Sequence, residues 1–428
     1  MEYKPRIADH ILKDKLESKG AVLIRGPKWC GKTTTAEQQA SSVIYVNDPA
    51  KRGQYREMGQ INPSFLLKGE TPKLIDEWQN IPQLWDAVRY EVDHRRAAGQ
   101  FILTGSAVPM NKEDREQIYH TGTGRFGIID MAPMSLFESG ESSGEISLEH
   151  LFKTPESIEG FSNSSLEDIA FMACRGGWPF ALSPELGEKA ALSQAFDYLD
   201  LVVEEDISRV DNVERNPYLA RRILRSYARH QGAQISVAMI KKDIISSETD
   251  SLSDNTVYSY LNALKQIFVI KDLEAWNPNL NSKTAIRTSP TRYFIDPSIA
   301  TAALRIGPDD LMNSLFTFGF IFETLFIRDL RVYSELLDGD VFHYRDSNGL
   351  ECDAVLHRRN GQYGLIEIKL GSDSGIEEGA QNLLSLSKII DKEKMGSPSF
   401  MMVLTAVGQF AYRRKDGVYV VPISCLRP

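Results

Sequence analysis

Short apolar runs alternate with helical stretches between residues 20 and 104: AVLIRG, a helix opening at Lys32, SVIYVND, a helix near Pro63 to Lys68, KLID, a helix across Asp86 to Ala97, and QFILTGS. Strands separated by helices predict a parallel sheet with crossover connections. After Phe137 come SGESSGE and then EGFSNSSLED, two Ser/Gly/Glu-rich stretches with the composition of surface loop or linker. From Leu166 to Gln231 the pattern is helical and charge-rich, broken by the turn RGGWPF at Arg175 to Phe180. A short helix, a turn and a second helix follow, the latter with apolar Val257, Tyr260, Leu261, Leu264 and Phe268, before a β-rich end. This reads as a helix-turn-helix with a wing. The block from Thr291 to Pro428 predicts a helix (Phe320 to Arg331) and a three-stranded run turning at Asn348-Gly349 and Asn360-Gly361. A helix (Glu377 to Ile390) and the strands FMMVLTA and GVYVVPI complete it. The expected division is a parallel-sheet domain over 1–145, a linker and helical segment over 146–210, a winged helix over 211–290 and an α/β domain over 291–428.

Length and composition fit that organisation. At roughly 150 residues per domain, 428 residues suggest two or three domains. Hydrophobic residues at 42%, charged at 25% and aromatic at 9% are globular proportions and exclude disorder as the main state. Acidic residues (58) exceed basic ones (49), so contact with nucleic acid would need a local basic surface. Cys30, Cys174, Cys352 and Cys425 form no CxxC pair, which points to reduced thiols and not to a zinc site or a disulfide framework. The N-terminus has no apolar core of a secretion signal, and no run reaches the roughly 18 apolar residues of a membrane span. A cytoplasmic protein without a membrane partner is the expectation.

Candidate chemistry begins at Gly26-Pro27-Lys28-Trp29-Cys30-Gly31-Lys32-Thr33, which fits G-x-x-x-x-G-K-[ST] directly after a strand and before a helix. Glycines let backbone N–H groups turn inward around phosphate oxygens, and the helix that continues through Thr34 presents its positive end to them. Lys32 is then expected to reach the β- and γ-phosphates of ATP, and the Thr33 hydroxyl to ligate Mg²⁺. At the end of KLIDE, Asp76 would hold the same Mg²⁺, and Glu77 would polarise the water attacking the γ-phosphate. Thr104 or Ser106, closing the strand Phe101 to Leu103, is a sensor candidate for the γ-phosphate, although Thr-Gly-Ser is equally turn chemistry. Arg125 is a candidate donor of transition-state charge, in cis or to a neighbouring copy, with an exposed structural arginine as the rival reading. Trp29 and Cys30 gain no role from phosphate chemistry.

A second constellation lies downstream. In strand periodicity Glu367 and Lys369 share one face, and Asp353 can lie beside them on the adjacent strand. This D-x(n)-E-x-K arrangement would gather Mg²⁺ on two carboxylates and use lysine to help activate water for phosphodiester cleavage, with Glu323 as a further metal ligand. A solvated polar strand face is the competing reading. In the middle, Arg221, Arg222, Arg225, Arg229 and His230 make a positive stripe, with Lys241, Lys242 and Lys265 nearby. Ser253, Asn255, Thr256, Ser259 and Tyr260 are placed to touch a DNA backbone or base edges, against the alternative of a protein-binding or intramolecular winged helix.

The succession GPKWCGKT, LIDEWQNIP, ILTGSA, RGGWPFAL, RYFIDPSIA, GFIFETLFIRDL, ECDAVL and IEIKLG resembles bacterial and archaeal ATP-binding proteins that join an AAA-type P-loop domain to a C-terminal domain of unknown function with a restriction-endonuclease-like core. The resemblance spans nearly the whole chain. It implies ATP binding and hydrolysis by Lys32, Thr33, Asp76 and Glu77, a winged-helix middle, and a nuclease-like end centred on Glu323, Asp353, Glu367 and Lys369. Trp29, Cys30 and Cys352 depart from the family pattern. The expected activity is an Mg²⁺-dependent ATPase whose cycle moves its tail, with DNA, a protein partner and a further copy of the chain as candidate partners. The rival is a nucleotide-switched binding protein with a catalytically inactive tail.

Overall fold

The computed structural model of the protein describes residues 2–106, 121–245, 252–278 and 289–428. Its N-terminal sheet consists of β1 (Ala21–Arg25), β2 (Ser42–Tyr45), β3 (Lys73–Asp76), β4 (Phe101–Gly105) and β5 (Phe126–Asp130), all parallel in the order β2-β3-β4-β1-β5. Both faces are covered, which is why β1 and β4 read as nearly unbroken apolar runs. Along β1 the side chains alternate: Val22 and Ile24 join the core that includes helix α1 (Ile7–Ser18), while Ala21 and Leu23 join Leu84, Trp85 and Val88 of the helix Gln83–Arg95. The order matters for the chemistry. Strand β4 separates β1 from β3, and Thr104 is in register with both Ile24 and Asp76, so the two strand ends that carry the motifs flank one hydroxyl.

A short strand, β6 (Ile146–Ser147), directly follows the first stretch expected as linker, and another, β7 (Gly160–Phe161), lies within the second. A strand of two residues has no alternation for a sequence reading to detect. The C-terminal sheet adds β8 (Gly339–Arg345), β9 (Glu351–Arg358) and β10 (Tyr363–Lys369) as an antiparallel meander, then the helix Asp373–Ile389 and β11 (Phe400–Thr405), parallel to β10. Strands β12 (Phe410–Arg413) and β13 (Tyr419–Pro422) extend this sheet, β7 closes its edge, and β14 (Leu426–Arg427) pairs with β6. The segment after the first domain is thus stitched into the last one.

In the middle, the helices Pro217–Arg229, Val237–Ile244 and Asp254–Gln266 precede a ribbon in which Ile270 faces Phe294 and Leu273 faces Thr291. The helix expected at Phe320 to Arg331 runs longer, Leu315–Leu336, and buries Phe318, Ile321, Phe322, Leu325 and Leu330.

Buried ion pairs join the parts. The Arg328 guanidinium, 2% exposed, reaches Asp296 at 2.9 Å and Asp329 at 2.7 Å. Asp296 also accepts from the Gly177 N–H at 3.0 Å, and Asp329 from the Leu136 N–H at 3.0 Å. Here the Gly-Gly-Trp-Pro turn and the Phe-Ile-Asp-Pro segment meet. Any side chain at Gly177 would place its Cβ 2.1 Å from the Met134 carbonyl oxygen. All four cysteines are buried free thiols. Among the described residues, no helix is long and apolar enough to cross a membrane.

Candidate functional site

The phosphate loop leaves β1 at Gly26 and enters a short helix at Lys32, with Gly31 as its first-turn neighbour in the left-handed region at φ 99°. A glycine adopts that backbone without strain. Buried Lys32 donates to the carbonyls of Gly26 at 3.0 Å and Pro27 at 2.7 Å, so its ammonium closes the loop on itself. The Thr33 hydroxyl donates to Asp76 Oδ1 at 2.6 Å, and the Thr104 hydroxyl donates to the same oxygen at 2.7 Å. Thr104 in turn accepts the Glu77 N–H at 3.3 Å. One continuous chain of hydrogen bonds therefore joins the loop threonine, the strand aspartate, the β4 threonine and the glutamate.

Glu77 itself has left-handed backbone angles, φ 56° and ψ 46°, unusual for a residue with a side chain. Burial pushes its carboxyl above the ordinary range, and the nearby Lys32 charge opposes that rise. A hydroxyl from the first turn of a helix and a carboxylate at a strand end form an all-oxygen donor set, which fits Mg²⁺, an ion that takes one or two carboxylates and completes its shell with water and phosphate oxygens.

A cleft of about 1190 Å³ opens over these groups, bordered on one side by Lys28, Trp29, Lys32, Thr33, Thr34, Glu77, Gln79 and Ser106. Its other wall comes from the helical middle, including Pro179, Phe180, Tyr198, Asp206 and Arg209. Lys28 spans the cleft to Asp206 at 2.5 Å, at the end of a π-helical stretch, Val202–Asp206. Trp29 stands 54% exposed at the mouth, and the Cys30 thiol is buried facing the Met131 carbonyl at 3.7 Å.

Arg125 is not at this site. It precedes β5 at the level of Ala21, whose N–H donates to its carbonyl at 3.3 Å, and so lies at the N-terminal end of the strands, away from the loop at their C-terminal end. Its guanidinium is engaged with Asp93 at 2.9 Å and with the Thr123 carbonyl at 3.1 Å. The parallel register thus places Arg125 at the opposite end of the strands from the phosphate loop.

Arg6, unread in the sequence, anchors the loop from behind. Only 4% exposed, it donates to the Cys30 carbonyl at 2.8 Å, to the Ala132 carbonyl at 2.9 Å and to Glu138 at 3.1 Å. No motif marks it, because its partners lie 24, 126 and 132 residues away. Gln79 and Asn80, also unread, follow the acidic pair and bond to Glu77.

The C-terminal residues do come together. Glu367 on β10 is 2% exposed and pairs with Lys369 at 3.0 Å, while the Asp353 carboxylate accepts the Ile368 N–H at 2.7 Å. Glu323 on the long helix accepts the Tyr293 hydroxyl. Burial, reinforced by Asp353, pushes Glu367 up to about 8, and burial likewise raises Asp353 and Glu323. The expected metal cage is not preassembled, since no group of three or more His, Cys, Asp or Glu among the described residues lies close enough to hold an ion. Each carboxylate is committed to a different donor.

The basic stripe is largely neutralised. Arg221 pairs with Asp200 and Glu204, Arg229 and His230 with Asp243, Lys241 with Asp254, and Lys265 with Asp272. Of the residues expected to touch DNA, Ser259 accepts from Arg215 at 3.0 Å and the Tyr260 hydroxyl accepts the Asn216 N–H at 2.8 Å, both turned inward. Ser253 caps its own helix by accepting from the Thr256 N–H.

Comparison with known proteins agrees with the N-terminal geometry. Residues 18–139 match the family model of an AAA domain, and residues 166–310 and 318–426 match two domains of unknown function, DUF8612 and DUF4143. The uncharacterized proteins Mb2031c of Mycobacterium bovis and Rv2008c of Mycobacterium tuberculosis are each 23% identical over 379 residues, 87% of this chain and 75% of theirs. The Walker-type ATPase PABY2304 of Pyrococcus abyssi aligns with a TM-score of 0.41 at 17% identity, covering 70% of this chain and 94% of its own. The N-terminal parallel sheet is that of an AAA-type P-loop domain.

Proposed function

We propose that the chain binds ATP with Mg²⁺ and hydrolyses it in the cleft between the N-terminal sheet and the helical middle, and that this cycle moves the middle and the C-terminal unit. The observation that carries the reading is the hydrogen-bonded series Thr33–Asp76–Thr104–Glu77 beside Lys32. On this reading Lys32 exchanges its two loop carbonyls for phosphate oxygens. Thr33 and Asp76 would hold Mg²⁺, which would supply positive charge against that developing on the phosphates. Glu77 accepts a proton from the attacking water as the new P–O bond forms and the bond to the ADP oxygen breaks. Thr104 fixes the Asp76 carboxylate and the Glu77 backbone at the strand end, and Ser106 is a sensor candidate at the cleft wall. The Lys28–Asp206 pair supports coupling, because an entering triphosphate competes with Asp206 for the same ammonium.

The test is phosphate release with Mg²⁺ and ATP. Lys32→Ala is expected to abolish it, and Glu77→Gln to retain ATP binding while blocking turnover. Normal hydrolysis by Glu77→Gln would overturn the assignment.

For the tail, the separate engagement of Glu323, Asp353 and Glu367 favours a second reading, in which the C-terminal fold grips a DNA or protein partner without cutting. Plasmid nicking with Mg²⁺ or Mn²⁺, by wild type and Lys369→Ala, separates the two. Metal-dependent nicking lost in the variant supports a nuclease using these residues; no nicking with partner binding retained supports the grip.

A further inference from the structure

We propose that Gln79 is a positioning residue for Glu77, setting the carboxylate that activates water, a role that rests on the hydrolytic reading above. Its amide nitrogen donates to Glu77 Oε2, leaving the other carboxylate oxygen for a water. Glu77 is also held by its backbone: Asn80 Nδ2 donates to its carbonyl at 2.9 Å, and its N–H donates to Thr104 at 3.3 Å. Its left-handed backbone caps the following 3₁₀ turn, whose Asn80 N–H donates to the Glu77 carbonyl at 3.1 Å, so strand end and turn together set the direction in which the side chain leaves.

The support for Gln79 is rigid. It lies in the one-turn 3₁₀ helix Trp78–Asn80, and Trp78, 2% exposed, anchors that turn by packing against Trp85 with ring centroids 4.8 Å apart. Both Gln79 and Glu77 border the cleft. The amide carbonyl of Gln79 is buried and meets no donor among the described residues. An apolar residue of the same size would avoid that unfavourable oxygen. What glutamine supplies in return is its N–H toward Glu77.

Because Gln79 acts through another residue, its effect should vanish when that residue is removed. The experiment measures single-turnover ATP hydrolysis and ATP affinity for wild type, Gln79→Met, Gln79→Ala, Glu77→Gln and the double variant Glu77→Gln/Gln79→Met. Methionine keeps the volume and removes the N–H. Both Gln79 variants should lose about 10²-fold in the hydrolysis rate with ATP affinity unchanged within about twofold, the pattern of lost orientation and not of lost binding. The double variant should be no slower than Glu77→Gln alone. A wild-type rate in Gln79→Met, or a further loss in the double variant, overturns the proposal while leaving the hydrolytic reading standing. Wild-type protein that binds ATP without hydrolysing it overturns both.

Discussion

The Thr33 hydroxyl lies 2.6 Å from Asp76 Oδ1, tying the loop after the first strand to the end of the third across the strand between them. Forty-three positions separate the two residues in sequence. Their meeting follows from the parallel order that inserts β4 between β1 and β3 and sets Thr104 beside both ends. If the pair holds Mg²⁺, Thr33→Val should weaken ATP binding far more with Mg²⁺ present than in EDTA, as titration of each would reveal; equal weakening in both would assign Thr33 a purely structural part.

Arg6 predicts a coupled loss of stability and affinity. Arg6→Met would leave Glu138 buried without its cation and free the Cys30 carbonyl, at a cost of about 3–5 kcal/mol in unfolding free energy. Denaturant titration checks the first effect, and ATP affinity measured on the fraction that remains folded checks the loosened loop.

Arg125 predicts the reverse. Paired with Asp93 at the end of the strands away from the loop, it is expected to contribute nothing to chemistry within its own chain, so Arg125→Ala in dilute protein should hydrolyse ATP at the wild-type rate within about twofold. A large loss confined to high protein concentration would point to action on a neighbouring copy.

Glu367 predicts a pH dependence. Burial first, then Asp353, raises its carboxyl to about 8, so the folded protein holds this proton more tightly than the unfolded chain does. The resulting stability is fully present below the ordinary carboxylate range and is lost as pH rises through the folded value. The stability difference between wild type and Glu367→Gln should therefore fall steadily between about pH 5 and pH 8.5 in urea titrations. A difference that stays flat or grows with pH contradicts the burial argument.

Much of the candidate site was legible because it is local. The phosphate loop is contiguous, and Asp76, Glu77 and Thr104 each close an apolar run whose period identifies a strand. What escaped was set by distance or by register. Arg6 meets partners more than a hundred residues away, and Lys28 meets Asp206 at a separation of 178. The position of Arg125 was not legible because motif order does not say at which end of the strands a residue emerges; the pairing of Ala21 with Phe126 does. Tyr260 illustrates a different failure. It belongs to the same apolar helical face as Val257, Leu261 and Leu264, so its burial was readable, yet its hydroxyl also suited a phosphate contact. Gln79 was visible two places after Glu77, but nothing in the sequence tells an orienting amide from a surface one.

The measurement that bears most directly on the central claim is an equilibrium titration of labelled ATP into folded wild-type and Lys32→Ala protein, with Mg²⁺ and with EDTA. Saturable binding by wild type, strengthened by Mg²⁺ and lost in Lys32→Ala, is the predicted result. Folded wild-type protein that takes up no ATP, or a Lys32→Ala variant that binds it equally well, would contradict the account.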